Sequence, residues 1–274
     1  MGGMRRVTST MKMVAASHLH RAQTDLKKSE AYGRELNKLL LETHSPEFQN
    51  HRLLAEPTQT HNGLLIVVTS NRGLCGAFNT NVIRAAKRWT ETERNRFHIL
   101  RAVCLGRKGH VGLRKDLEMR GNDPYSTSAH PTAVEALQIA HSISQDFLEG
   151  RYDEVHLVFN RYINPMVSRT EVSRLLPIIP PPRPVGHREP TPIREPDSVH
   201  LQEQVLLQWF GFRIFDAMLQ SVTCEHAARV VAMENATTNL RRLESELTLL
   251  RNRARQAAIT KELAEIVGGA EALT

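Results

Sequence analysis

The sequence predicts an α/β protein in which a long antiparallel coiled coil of the N- and C-terminal helices carries a small Rossmann-like α/β domain. Three observations predict it. Between Phe212 and Val267 the chain has neither glycine nor proline, and a heptad seam runs through Leu240, Leu243, Leu247, Leu250, Ala254 and Ala257 before lapsing at Lys261. A second seam near the N-terminus runs Ala15, Leu19, Ala22, Leu26, Ser29, Gly33, Leu36 and Leu40. Between them, short apolar runs alternate with helical patterns, the texture of a sheet with helical crossovers.

The first helix is expected over about residues 6–42. Half of its seam residues are small, which favours close backbone approach over a leucine zipper. Its expected partner is the C-terminal helix, whose seam also turns to alanine. A helix over 212–267 would be roughly 80 Å long, longer than the domain between the helices, and it needs a partner helix, an enclosing protein or both.

The run Leu64-Leu65-Ile66-Val67-Val68-Thr69 follows Asn62-Gly63 and reads as a buried strand. The turn Asn71-Arg72-Gly73-Leu74-Cys75-Gly76 leads to a helix over 79–94. A second strand over 98–105 ends at Gly106-Arg107-Lys108-Gly109. Helices are expected near 111–119 and over 132–149, and a third strand over 154–159, its extension pairing with 170–176. From Pro177 to Pro196 the chain is rich in proline, including Pro180-Pro181-Pro182, and reads as an extended linker. The expected units are residues 1–55 (first coiled-coil helix), 62–176 (α/β domain), 177–198 (linker) and 199–274 (second coiled-coil helix).

Composition narrows the function classes. A formal charge of +7, from 36 Lys and Arg against 29 Asp and Glu, suits nucleic acid, an acidic membrane surface or an acidic protein. Aromatic residues make up only 5% of the chain, too few for base stacking. Cys75, Cys104 and Cys224 lie far apart with no zinc spacing, so a reducing compartment fits. No apolar run approaches the ~20 residues of a membrane-spanning helix, and the start lacks the apolar core of a signal peptide, so a soluble, cytosol-facing protein is expected.

Candidate chemistry is sparse. Gly73-Leu74-Cys75-Gly76 follows a strand and opens a helix, as phosphate-binding turns do, but neither GxGxxG nor GxxxxGK[ST] is present. A structural turn is the preferred reading, as it is for Gly106-Arg107-Lys108-Gly109. A thiol on such a turn can have a lowered pKa, yet nothing fixes His98 or His110 beside Cys75. Histidines His18, His20, His44 and His51 read as solvated. Near the end of the chain Ala254, Ala257 and Ala258 thin the helix, leaving Arg255, Gln256 and Thr260 as polar hooks, the form of an axle gripped by a surrounding ring.

Three blocks resemble one family. Met11-Lys12-Met13-Val14-Ala15-Ala16-Ser17, Thr69-Ser70-Asn71-Arg72-Gly73-Leu74-Cys75-Gly76, and the C-terminal stretches at 227–237, 253–260 and 262–267 are similar, in order and spacing, to the gamma subunit of F-type ATP synthase. The resemblance implies a non-catalytic central-stalk rotor without cofactor or bound nucleotide. It would turn with a membrane c-ring inside a hexamer of alpha and beta subunits, with the foot against the epsilon subunit and no nucleic-acid partner. It would be peripheral to the cytoplasmic face of a bacterial inner membrane. Arg255, Gln256 and Thr260 match positions that meet the beta-subunit catch loop, and Met11 and Lys12 match positions facing its acidic loop. Glu195 matches the acidic foot position towards epsilon and the c-ring. Asn71 stands where the family usually has Asp. The family's first helix usually begins upstream of Met1, so a misassigned start is expected. The competing readings are an α/β nucleotide-binding enzyme and a basic coiled-coil nucleic-acid binder.

Overall fold

The computed structural model describes residues 2–43, 51–57, 59–121, 125, 130–180 and 198–271. Ten elements follow one another: α1 (Gly2–Thr43), β1 (Asn62–Val68), α2 (Phe78–Glu93), β2 (Ile99–Leu105), α3 (Arg107–Leu113), β3 (Glu118–Met119), α4 (Ala133–Leu148), β4 (Glu154–Asn164), β5 (Val167–Leu176) and α5 (Ser198–Glu271). The sheet order is β3-β2-β1-β4-β5, with β1 to β4 parallel and β5 antiparallel to β4. β1 is a near-continuous apolar run and the first seven residues of β4 are buried, because both faces of the sheet are covered there.

The N-terminal seam is the buried face of α1. Ala15, Leu19, Ala22, Leu26, Ser29, Leu36 and Leu40 are all 9% exposed or less, and Gly33 is buried with them. Helix α5 lies antiparallel against this face. Pairings step down the two helices from Arg5–Glu244 through Thr8–Thr237 and Lys12–Glu234 to Trp209 donating to Asn37 Oδ1 at 2.8 Å. At Gly33 the helices nearly touch, since a Cβ there would lie 2.5 Å from the Phe212 ring.

Helix α5 has 74 residues, roughly 110 Å of rise, and begins well before Phe212. It passes straight through Gly211, inside the expected 199–274 unit. The reason is packing: a Cβ at Gly211 would meet Leu137 of α4 at 2.5 Å, so the glycine admits α4 rather than ending α5. The larger core lies here, joining Leu36 and Leu40 of α1, Ile139 and Ile143 of α4, one face of the sheet, and Leu206, Phe210 and Ile214 of α5. A smaller cluster under α2 and α3 covers the other face through Leu65, Val67, Val82, Ala86 and Leu113.

Other expectations are corrected. Residues 107–113 are helical and 118–119 form an edge strand beside Arg101 and Ala102, where a helix near 111–119 is expected. The glycines are the cause. Gly106, at φ +112, turns the chain tightly over Thr69, and the Gly109 amide donates to Thr69 Oγ1 at 2.8 Å, so helix starts inside the expected loop. β5 begins at Val167 and pairs along most of β4, not only along its extension. Helix α4 opens with a capping box between Thr132 and Glu135, which fixes its start.

Gly33→Leu should force α1 away from Phe212 and lower stability by about 1–3 kcal/mol in urea titration, with part of the loss recovered by Phe212→Leu. All three thiols are buried, and burial pushes Cys104 and Cys224 up to about 12 and raises Cys75. A disulfide reagent at pH 8 should therefore label none of them in the folded chain and all three in denaturant.

Candidate functional site

The chain's most exposed chemistry sits at the free end of α5. Among the described residues, the uppermost ion pair between α1 and α5 is Arg5 with Glu244, and α5 continues beyond it to Glu271. Leu243, Leu247 and Leu250 of the predicted seam are 41–58% exposed there, as are Leu249, Ile259 and Leu263 beside them. Arg255, Gln256 and Thr260 lie in the part of α5 beyond Glu244 and are exposed, among the small Ala254, Ala257 and Ala258. The Thr260 hydroxyl donates back to the Gln256 backbone carbonyl at 2.9 Å.

Met11 and Lys12 belong to a different level. Lys12 forms an ion pair with Glu234, roughly 30 Å of helix below Arg255. Lys12 is half-exposed and its charge favours ionised Glu234, lowering that carboxyl's pKa. Met11 lines a cavity of about 540 Å³ with Leu74, Glu225, His226 and Arg229, where α1, α5 and the turn after β1 meet. The structure thus does not bring the two groups of sites together. Glu195 lies outside the described residues.

The turn after β1 is internally satisfied. Ser70 N accepts no solvent role here, since it donates to Asn79 Oδ1 at 3.0 Å, while Asn79 Nδ2 donates to Cys75 Sγ at 3.2 Å. The Asn71 carbonyl oxygen accepts from the Arg107 amide at 3.0 Å, a role the family's usual carboxylate can also fill. Burial raises the Cys75 thiol, the reverse of what a reactive turn cysteine needs, and its polar neighbours are Ser70 and Asn79 rather than a histidine. His98 instead stacks on His61, 5.1 Å between ring centres.

Open α/β sheets take ligands at the strand ends where the order reverses, here between β1 and β4. This chain fills that place with itself. Asn160 at the end of β4 donates to the Phe78 carbonyl at 3.2 Å, and its own carbonyl accepts from Cys224 of α5 at 3.4 Å. The nucleotide-binding reading loses its site to α5. Some basic residues of α5 pair with acids one turn on, as in Arg242–Glu246 and Lys261–Glu265. Among the described residues no group of three His, Cys, Asp or Glu could hold a metal ion, and no helix is long and apolar enough to cross a membrane.

Sequence reasoning missed one cluster. His18, read as solvated, stacks on His226 with ring centres 5.1 Å apart, and His130 lies 5.6 Å from His18. His51 likewise meets Glu203 at 3.2 Å. Only the antiparallel register of α1 on α5 could have brought His18 and His226 together in advance.

Comparison with known proteins accounts for this architecture. The ATP synthase family profile matches residues 1–273. The ATP synthase gamma chain of Geobacter metallireducens is 35% identical over 271 residues, covering 98% of this chain and 93% of that one. That of Geotalea uraniireducens is 36% identical with the same coverage, and that of a Roseiflexus species 34% identical over 270 residues. Among solved structures, a chain of the central stalk and c-ring of Tetrahymena thermophila mitochondrial ATP synthase superposes with a TM-score of 0.62 at 23% identity, covering 84% of this chain and 99% of that one. A chain from the Euglena gracilis mitochondrial enzyme gives 0.56 at 19%, covering 100% and 95%. With a long paired shaft, a filled sheet crevice and relatives matched along nearly the whole length, the chain belongs to the ATP synthase gamma-chain family.

Proposed function

We propose that α1 and α5 form the central-stalk rotor of an ATP synthase, transmitting ion-driven rotation of a membrane c-ring to the catalytic sites of the surrounding beta subunits. The support for this reading is the match to ATP synthase gamma chains along nearly the whole length, together with the antiparallel pairing of α1 with α5. Exposed Leu247, Leu250 and Leu263 of α5 give a sleeve of alpha and beta subunits an apolar surface to cover. The chain is a subunit of the synthase and supplies no catalytic group itself.

Arg255, Gln256 and Thr260 are the residues that meet the beta-subunit catch loop. Met11 and Lys12, at the lower level, face the acidic loop, with Glu234 holding Lys12 in place until a beta carboxylate competes for it. Glu195 is the foot contact towards epsilon and the c-ring. The complex is peripheral to the cytoplasmic face of a bacterial inner membrane. The units 1–55, 62–176, 177–198 and 199–274 serve as shaft, foot, linker and shaft.

Each polar contact of the hooks contributes roughly 0.5–3 kcal/mol. That is small beside the energy of ATP hydrolysis, so torque rests on the stiffness and asymmetry of the shaft, and the hooks tune individual steps. Gln256→Leu should leave the melting temperature of the chain unchanged and weaken ATP-driven proton pumping; full pumping in that variant removes Gln256 from the catch-loop contact. A tagged chain should bring down alpha and beta subunits from its native membrane, and their absence overturns the rotor reading as a whole.

A further inference from the structure

We propose that His18, His130 and His226 form a proton-responsive joint that holds the shaft to the turn after β1 at neutral pH and releases it on acidification. The three imidazoles come from three places: α1, the segment before α4, and α5. His18 and His226 stack nearly parallel, 17° between ring planes, an arrangement suited to neutral rings and opposed by charged ones. His226 Nδ1 lies 3.3 Å from Arg229 Nη1, and because guanidinium only donates, that nitrogen accepts and carries no proton. The same guanidinium reaches the Gly73 carbonyl at 3.3 Å and Glu225 at 2.6 Å. A proton on His226 therefore sets a cation against Arg229 and loosens the hand that grips Gly73. The cavity lined by His18, His226, Arg72 and Glu225 gives water a path to the rings.

The charged surroundings agree. Burial, then Arg229, His18 and His130, push His226 down to about 4 from its ordinary 6.5. Arg72 faces Glu225 from the turn, and burial raises Glu225 against the opposing pull of Arg229. The signs differ between the two groups. The closed joint binds fewer protons at His226 than an open one, so closure is complete above pH 6.5 and is lost as pH falls towards 4. Glu225 titrates the other way, since its protonation relieves a buried charge and favours closure. Linkage at His226 alone weakens closure about 30-fold between pH 7.5 and 5.

Hydrogen exchange of the full chain, corrected for intrinsic rates, tests the joint at residues 70–76 against β1 as internal control. Protection there should fall between pH 7.5 and 5 by up to about 30-fold, reduced by the opposing titration of Glu225, while in His226→Gln, a neutral acceptor for Arg229, it should fall about twofold or less, or rise. An equal fall in both chains, or none in the native chain, overturns the proposal. Should His226→Gln lose β1 protection at pH 7.5, His226→Asn, a shorter neutral acceptor, is read by the same criterion. Glu225→Gln should keep the acid response; its disappearance there would make the carboxylate the trigger and also overturn the proposal.

Discussion

Close approach of α1 to α5 is the contact from which the rest of the molecule follows. Small residues on α1, with Ala15, Ala22 and Gly33 at the seam, allow the backbones to draw near enough for Phe212 to lie across Gly33. The pair then presents Leu36, Leu40, Leu206, Phe210 and Ile214 together as one apolar surface, and the sheet and α4 close upon it. Neither helix could bury those residues alone, because a lone helix hides only what another element covers. Shaft and foot consequently share a core instead of meeting at a hinge.

That shared core explains why a sheet of ligand-binding design holds no ligand place at its order reversal. Asn160, Phe78 and Cys224 close the crevice with hydrogen bonds and packed side chains, so the position that elsewhere receives a nucleotide here fixes the shaft to the foot. A rotor benefits from this exchange, since buried contacts join the α/β domain to the paired helices. Arg229 extends the grip by one further turn of α5, tying Gly73 to Glu225 beside the imidazole cluster. Above that level α5 continues with Leu247 and Leu250 exposed.

How legible each part was depended on how local its cause is. The seam of α1 could be read residue by residue because burial on one helical face leaves a period in the sequence. The strand at Asn62–Val68 stood out because a parallel strand covered on both faces becomes a continuous apolar run, whereas only the buried first part of β4, 154–159, was read as strand. Glycines misled where a partner, not a turn, was their reason. Gly109 receives Thr69 from inside α3, yet in sequence it looks like the end of a turn. The exposure of Leu243, Leu247 and Leu250 was illegible for a related reason: a heptad seam records that something packs there, not which chain supplies it.

The sequence by itself determined the α/β class and the two long helices, because periodicity and residue size are properties of a chain read in order. Tertiary structure alone decided the register of α1 on α5, the filling of the crevice, the burial of Cys75 and the meeting of His18 with His226 and His130. These are contacts between residues far apart in the chain, and they are set by how whole elements pack. One turn of slip between α1 and α5 would keep every local pattern intact and dissolve all of them.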